Sequence, residues 1–448
     1  MSAAAPRKTI PDLARCGWLL FSLLLAPVQA ADKSTTELPN PLSLEAALAL
    51  ADANHPVIAL AAAELAAAQA NAKATRARTG IEIISEIRPQ YIDPSLPGAG
   101  PNTTDSQAHL TVTKRLFDFG HSRAQRRASD KLVEGRQLAL ISVRQQHHIE
   151  VMRRYFDVLL ADMRYQVDNE TMAHAYVNFD RERERHKQGR ISDVDLAASE
   201  THFQELLVHQ TASQLRQHST RALLAMALNR PDSLPEDLKA PRLKGNDRKP
   251  PELEKLLIRA LNSNPGVQRM KEEVASAEQA LKAAKGQGRP TLDAEFEVSA
   301  YERNIGSRDN ARVSLNLRVP IYQGGRNQSA EAQASAFLQQ KRAQLNKAKF
   351  DLRQSALRLV QQLETLNISR QAARIRADYR ELNLDRSRAL YEMEAQVSLG
   401  DAMIRMTEAQ LQAVKVEFDM ALAWAQISAL EGTLLNQNPG TVPRETTP

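Results

Sequence analysis

Cysteine occurs once in 448 residues, at Cys16. Everything after it therefore lacks a disulfide, a thiolate metal site and a thiol nucleophile. Aromatic residues make up only 4%, too few for several globular cores. An excess of one charge sign is also missing. Lys+Arg number 59 against 53 Asp+Glu, a net charge of +6, with the two signs interspersed. That pattern describes solvated helix surfaces and excludes a nucleic-acid footprint, which needs a basic block. Catalytic signatures are absent too: no Walker phosphate loop, no Cys pair, no His-Glu-x-x-His. His147 and His148 are adjacent, leave a helix at different angles and have no carboxylate cluster beside them. They read as surface residues rather than metal ligands. No enzyme activity and no cofactor is expected.

Long apolar runs are also scarce. The clearest is "GWLLFSLLLAP", Gly17 to Pro27, preceded by Arg7, Lys8 and Arg15 and followed by "VQA", Val28 to Ala30. This is the pattern of a secretory signal peptide over residues 1–30, and it is too short to span a bilayer as a helix. A lipid-anchor signal would place its cysteine after the apolar run, whereas Cys16 precedes it. No later stretch reads as a transmembrane helix. The expectation is an exported chain that is periplasmic, secreted or held in an outer membrane by strands.

What is present is a pattern written twice. One copy begins "LSLEAALALADANHPVIALAAAELAAAQANAKATRARTG" and the other "PELEKLLIRALNSNPGVQRMKEEVASAEQALKAAKGQG". Each is a short helix, then Asn-His-Pro or Asn-Pro, then a second helix, with Pro56 and Pro265 at positions where a missing N–H costs nothing. Two strands follow in each copy. In "TLDAEFEVSAY" and "ARVSLNLRV", apolar residues strictly alternate with Asp293, Glu295, Glu297, Arg312 and their polar neighbours. "IEIISEIRPQYI" and "AHLTVTKRLF" carry a looser version, with Ile81, Ile83, Ile87 and Tyr91 on one face.

Long helices come next. No proline occurs between Pro101 and Pro231 or between Pro320 and Pro439. Ile149, Met152, Phe156, Leu159 and Met163 step by three and four, as do Leu352, Ala356, Leu359, Leu363 and Leu366. Each long region breaks once, at "HKQGRISDVDLAASE" and at "YEMEAQVSLGDAMIRMTEA", where Ser192 and Ser398 can cap the returning helix. The expected organisation is a signal peptide (1–30) and a first repeat (31–230) with strands near 81–92 and 107–117 and a hairpin near 120–229. A linker (231–250) leads to a second repeat (251–432) with strands near 291–301 and 311–320 and a hairpin near 324–432. A tail (433–448) follows.

Four strands cannot close a barrel, since small barrels need about eight. Three chains supply enough. Apolar faces then meet lipid, while Asp293, Glu295, Glu297, Arg312 and Arg318 line a wet lumen. The expected fold is mostly α with a small β part: long antiparallel helical hairpins forming an α-barrel, joined to a β-barrel made from four strands per chain in a trimer. The main rival is a periplasmic coiled-coil adaptor or scaffold, which would not need one continuous apolar sheet face.

The duplicated starts, the junctions "KRLFDFGHSRAQ" and "RVPIYQGGRNQS" and the two tips resemble the TolC-type outer-membrane efflux proteins over nearly the whole chain after the signal segment. The resemblance implies a homotrimeric channel-tunnel in the outer membrane, reaching into the periplasm. Such a channel is the exit duct of a tripartite efflux or type I secretion system. The implied partners are outer-membrane lipid, a periplasmic adaptor (membrane fusion) protein and an inner-membrane transporter of the RND or ABC type. It further implies barrel–tunnel junctions at Gly120, Pro320, Gly324 and Gly325, and a periplasmic gate at Asp401 and Asp195. Adaptor-docking tips fall at Gly189, Arg190, Ile191 and Ser192, and at Ala395, Gln396, Val397 and Ser398. Ala395 stands where the family often has Gly, and Ile404 where a second ring carboxylate can occur, which argues against a double carboxylate ring.

Overall fold

The computed structural model describes residues 39–51, 55–92, 103–233, 235–243, 245–303, 308–393 and 398–436. The expected signal segment, the final residues 437–448 and the tip residues Ala395, Gln396 and Val397 lie outside them. In chain order the first half contains α1 (Leu44–Ala51), α2 (Pro56–Ala77), β1 (Ile81–Arg88), β2 (Tyr91–Ile92), β3 (Thr103–Thr104), β4 (Gln107–Phe117), α3 (His121–Lys187) and α4 (Asp193–Ala227). The second contains α5 (Leu253–Ser263), α6 (Pro265–Gly286), β5 (Thr291–Tyr301), β6 (Ala311–Arg318), α7 (Arg326–Glu392) and α8 (Leu399–Leu430), ending in a single 3₁₀ turn.

The repeated helix starts have a local cause. His55 and Asn264 hold extended backbone, and each side chain accepts from the N–H two or three residues on, with proline next in line. Within Leu44–Ala77 a window of 18 residues reaches a mean hydropathy of 1.4, more apolar than the sequence reading allowed and enough for a membrane span by length and composition. The stretch is nevertheless built as two helices, and Ala47, Leu48, Ile58 and Ala61 are buried with α1 and α2 lying on α3.

β1, β4, β5 and β6 form one antiparallel sheet in that order. The first strand of the chain is shorter than its pattern suggested. Pro89 has no N–H to give the ladder, so pairing stops at Arg88 and resumes as the small β2–β3 ribbon. Register sorts the faces. Ile83, Val112, Phe296 and Val313 stand in one row across the sheet; Ser85, Leu110, Val298 and Ala311 form the next. Rows of the opposite parity join Glu82, Thr113, Glu295 and Ser314.

α3 and α7 each run 67 residues, about 100 Å at 1.5 Å per residue. Each folds back on its successor. Near the sheet the helices lie side by side in the order α2, α3, α6, α7; towards the tips the order is α4, α3, α8, α7. A hydrophobic core sits between these levels, where Leu256, Val267, Leu363 and Ile427 meet around Trp424. Phe156 stacks on Phe418 at 4.4 Å beside it. Each such side chain contributes roughly 1.5–3 kcal/mol on burial. Tyr155, fully buried, directs its hydroxyl at the carbonyls of Leu42 and Lys239, pinning the leading segment and the inter-repeat linker where Leu42 and Leu238 bridge in parallel. Burial pushes its phenol up to about 12.

His147 corrects the sequence reading. It is buried rather than on the surface, and its ring lies 4.0 Å from that of His55, tilted by 31°. Among the described residues no three His, Cys, Asp or Glu side chains converge to hold a metal.

Candidate functional site: sheet faces, junctions, tips and seam

The sheet is inverted relative to a water-soluble protein. Its apolar face is bare: Val313 is 78% exposed, and Ile81, Ile83, Leu315 and Leu317 are nearly as open. On the charged face the middle of the sheet is sheltered, while Glu86, Arg88 and Arg312 on the outer strands are open. Ser299 is 5% exposed, and the side chains of His109, Glu297 and Asp293 are below 20%. There His109 Nδ1 lies 2.9 Å from both Glu297 Oε1 and Ser299 Oγ, and Arg115 Nε donates to Asp293 at 2.9 Å. A soluble sheet would place a helix over the apolar face; among the described residues none covers it. Apolar outside and polar inside is the arrangement that a membrane barrel requires.

Each strand-to-helix junction turns on two consecutive residues with positive φ. In the first they are Phe119 (φ 51) and Gly120 (φ 83); in the second, Gly324 (φ 59) and Gly325 (φ 77). Left-handed backbone costs a β-carbon-bearing residue about 1–2 kcal/mol, so glycine is the natural choice at the second. Pro320 ends the sheet just before it. A register shift between Arg115 and Phe117 brings Phe117 opposite Leu292.

At the first tip Gly189 (φ 69) reverses the chain, with Arg190 exposed and Ile191 half-buried beside it. Ser192 caps α4, accepting from the Asp195 N–H at 3.1 Å, while its own hydroxyl donates to the Asp195 carboxylate at 2.8 Å. His186 Nε2 lies 2.6 Å from Asp193 across the turn. Asp195 is thus engaged in its own helix cap. At the second tip Ser398 accepts from the Asp401 N–H at 3.3 Å, and Asp401 pairs with Arg405 at 2.9 Å, one turn on. Asp195 and Asp401 do not pair with each other.

The second tip leans on the first hairpin. His174 Nε2, on α3, lies 3.3 Å from Ser398 Oγ, and Thr407 donates to Glu170 at 3.2 Å. Gly400 sits so close beneath the His174 ring that a β-carbon there would clash with it. Higher on the same α3–α8 seam, Asp157 and Asp419 are half-buried next to the Phe156–Phe418 stack. Burial holds both carboxyls above the usual carboxylate range, and for Asp419 the charge of Asp157 adds to it.

Two clamps tie the long hairpins to the linker. Arg221 of α4 grips Asp162 of α3 through both terminal nitrogens, at 2.6 and 2.9 Å, and reaches the Glu236 carbonyl. Arg370 of α7 donates to Glu417 of α8 at 2.5 Å and to Asp247 at 2.7 Å. Buried Asn246 completes that clamp by donating to Glu417. Sequence reasoning missed these groups. The four-residue spacing of Asp401 and Arg405 was a readable signal; the clamps and the His174 contact join distant segments and left none.

A bare apolar sheet face continued by long paired helices is the wall of an outer-membrane channel. The outer membrane efflux protein family matches residues 47–230 and again residues 256–433, and this chain belongs to that family. Solved structures share the fold. The CmeC outer membrane channel of Campylobacter jejuni has a TM-score of 0.73 at 13% identity, over 87% of this chain and 86% of that one. CusC gives 0.70 at 16% identity over 88% and 92%. The open-state MtrE outer membrane channel of Neisseria gonorrhoeae gives 0.69 at 16% identity over 87% and 89%. No curated protein matches in sequence. The chain is an outer-membrane channel protein that extends into the periplasm, and its function is passage rather than catalysis.

Proposed function

We propose that three copies close head to tail into one tunnel that serves as the exit duct of a tripartite efflux or type I secretion system. The observation that carries this is the common order of elements at every level. One flank of the chain is β1, then α2, then α4; the other is β6 and α7 throughout. Both flanks are open, and joining one to the other repeats the same contact around a ring, as a heterologous interface must to close. Three sheets of four strands make twelve, enough for a barrel. The flanking helices are fitted for such contact. Phe350, Leu357, Ile368, Ile375, Tyr379 and Leu382 are exposed on α7 at steps of three, four, seven and eleven residues, which fall on one face. Val208, Leu215 and Met226 do the same on α4 by steps of seven and eleven.

In this assembly Asp401 forms the periplasmic gate, one carboxylate per chain, with Arg405 partly offsetting each. Asp195, held in its cap, forms a weaker ring. The segments Gly189–Arg190–Ile191–Ser192 and Ala395–Gln396–Val397–Ser398 dock a periplasmic adaptor, and an RND or ABC transporter in the inner membrane supplies the energy. Single-channel recording in planar bilayers tests this. Wild type conducts and is blocked by divalent cations from the periplasmic side. Asp401→Asn weakens the block, and Arg405→Gln strengthens it. Unchanged block in both variants would remove the gate from Asp401, whereas absence of any conductance would remove the channel itself.

A further inference from the structure

The apolar sheet face does not stop at its last ladder pair. Phe117, opposite Leu292 on that face, meets Phe119 edge-on at 4.8 Å, and the Arg289 guanidinium lies 5.9 Å over the Phe119 ring. Arg289 is therefore on the lipid side. In the second repeat Val319 continues the alternation, and Ile321 and Tyr322 are 97% and 87% exposed. At this same level the chain enters and leaves the sheet with exposed cations. Arg78 and Arg289 stand just before β1 and β5, Lys282 one turn before the end of α6, Arg126 and Arg127 early in α3, and Arg326 opens α7. Among the described residues none of the six has an ion-pair partner. The neighbouring carboxylates are already engaged: Asp118 by Ser122, Asp130 by Arg76, Asp293 by Arg115 and Glu331 by Lys285.

We propose that this collar is a docking surface for the phosphate headgroups of anionic phospholipids at the periplasmic edge of the barrel, an inference that rests on the channel reading above. Two features favour a lipid. Arg289 of the collar lies against Phe119 on the lipid-facing side, so a molecule bound there can lay its acyl chains on Phe117, Ile321 and Tyr322. The cations above are the complement of a phosphate, and a guanidinium can hold two phosphate oxygens at once. Aromatic side chains beside basic ones are what interfacial depth selects.

The test uses the intact assembly in nanodiscs of phosphatidylcholine with an equal share of phosphatidylglycerol, followed by native mass spectrometry of the retained lipid. Wild type retains phosphatidylglycerol over phosphatidylcholine by about tenfold. Arg289→Gln combined with Lys282→Gln falls towards parity, while Arg318→Gln on the polar face keeps the preference. Equal retention of the two lipids by an intact wild-type assembly would overturn the collar and leave the channel standing. So would a preference unchanged in the double variant, or one abolished by millimolar inorganic phosphate. A wild type that stays a single chain in every lipid would overturn the channel reading and the collar with it.

Discussion

The two junctions make the same turn with different residues. In the first, Phe119 accepts a positive φ that glycine would take more cheaply. Its ring packs on Phe117, and Asp118 caps the new helix by accepting from the Ser122 N–H at 2.9 Å. In the second, Gly324 and Gly325 adopt the conformation at low cost, and among the described residues no side chain caps α7. One junction balances strain with a cap and packing; the other avoids the strain and forgoes both. The clamps diverge similarly. In the first repeat the arginine is on the returning helix and the carboxylate on the outgoing one; in the second these roles are exchanged. Duplication therefore conserves geometry, while each copy reaches it with its own chemistry.

If the repeats are equivalent in the wall, lipid-face charges should harm both alike. Val112→Arg in the first repeat and Leu315→Arg in the second should each cost roughly 2–4 kcal/mol near mid-bilayer. Both should abolish the detergent-stable assembly on a native gel. Thr113→Arg and Ser314→Arg, one residue away on the polar face, should assemble. A difference between repeats would break the equivalence.

The sheet faces were legible because strand alternation is a local property: Ala311 to Val319 alternates with no help from other segments, and so does Leu292 to Ala300. The fold class followed from that alternation and from the proline-free stretches. The seam was not legible. Nothing near His174 announces that Gly400 lies under its ring, more than two hundred residues on. His147 was misplaced for the same reason, since His55 covers it from another helix. Of the proposed gate, the Arg405 partner of Asp401 was within reach of helical spacing, whereas Ala395, Gln396 and Val397 lie outside the described residues.

The clamps come next in size. Arg370→Ala and Arg221→Ala should each lose about 1.5–3 kcal/mol, the range for hydrogen bonds to charged groups, read from urea unfolding of the assembly. Reversing the second clamp, with Arg370→Glu and Glu417→Arg together, should recover part of the loss by copying the polarity of the first. No recovery would mean that Asn246 and Asp247 fix the direction of the pair.

The junction caps should be worth less. Asp118→Ala should cost about 1 kcal/mol, and Gln323→Asp should gain up to a similar amount by giving α7 the cap it lacks. Thermal midpoints compare the two, and equal silence would show that neither junction limits stability.

The smallest effect is the pH dependence of the seam. Asp419 has a folded-state pKa above its ordinary value. Its protonated form is favoured in the fold below the ordinary 3.8, and that contribution is lost as pH rises through the raised value. Asp419→Asn should thus raise the thermal midpoint at neutral pH, with the gain vanishing below pH 3.8. A gain independent of pH would trace to packing instead.

In the closed tunnel β6 and α7 of one copy meet β1, α2 and α4 of the next. Native mass spectrometry of the particle extracted from outer membranes counts the copies directly. Closure of the two open flanks into one tunnel predicts a mass of three chains. A particle of one chain, with both sheet edges left unpaired, would contradict it.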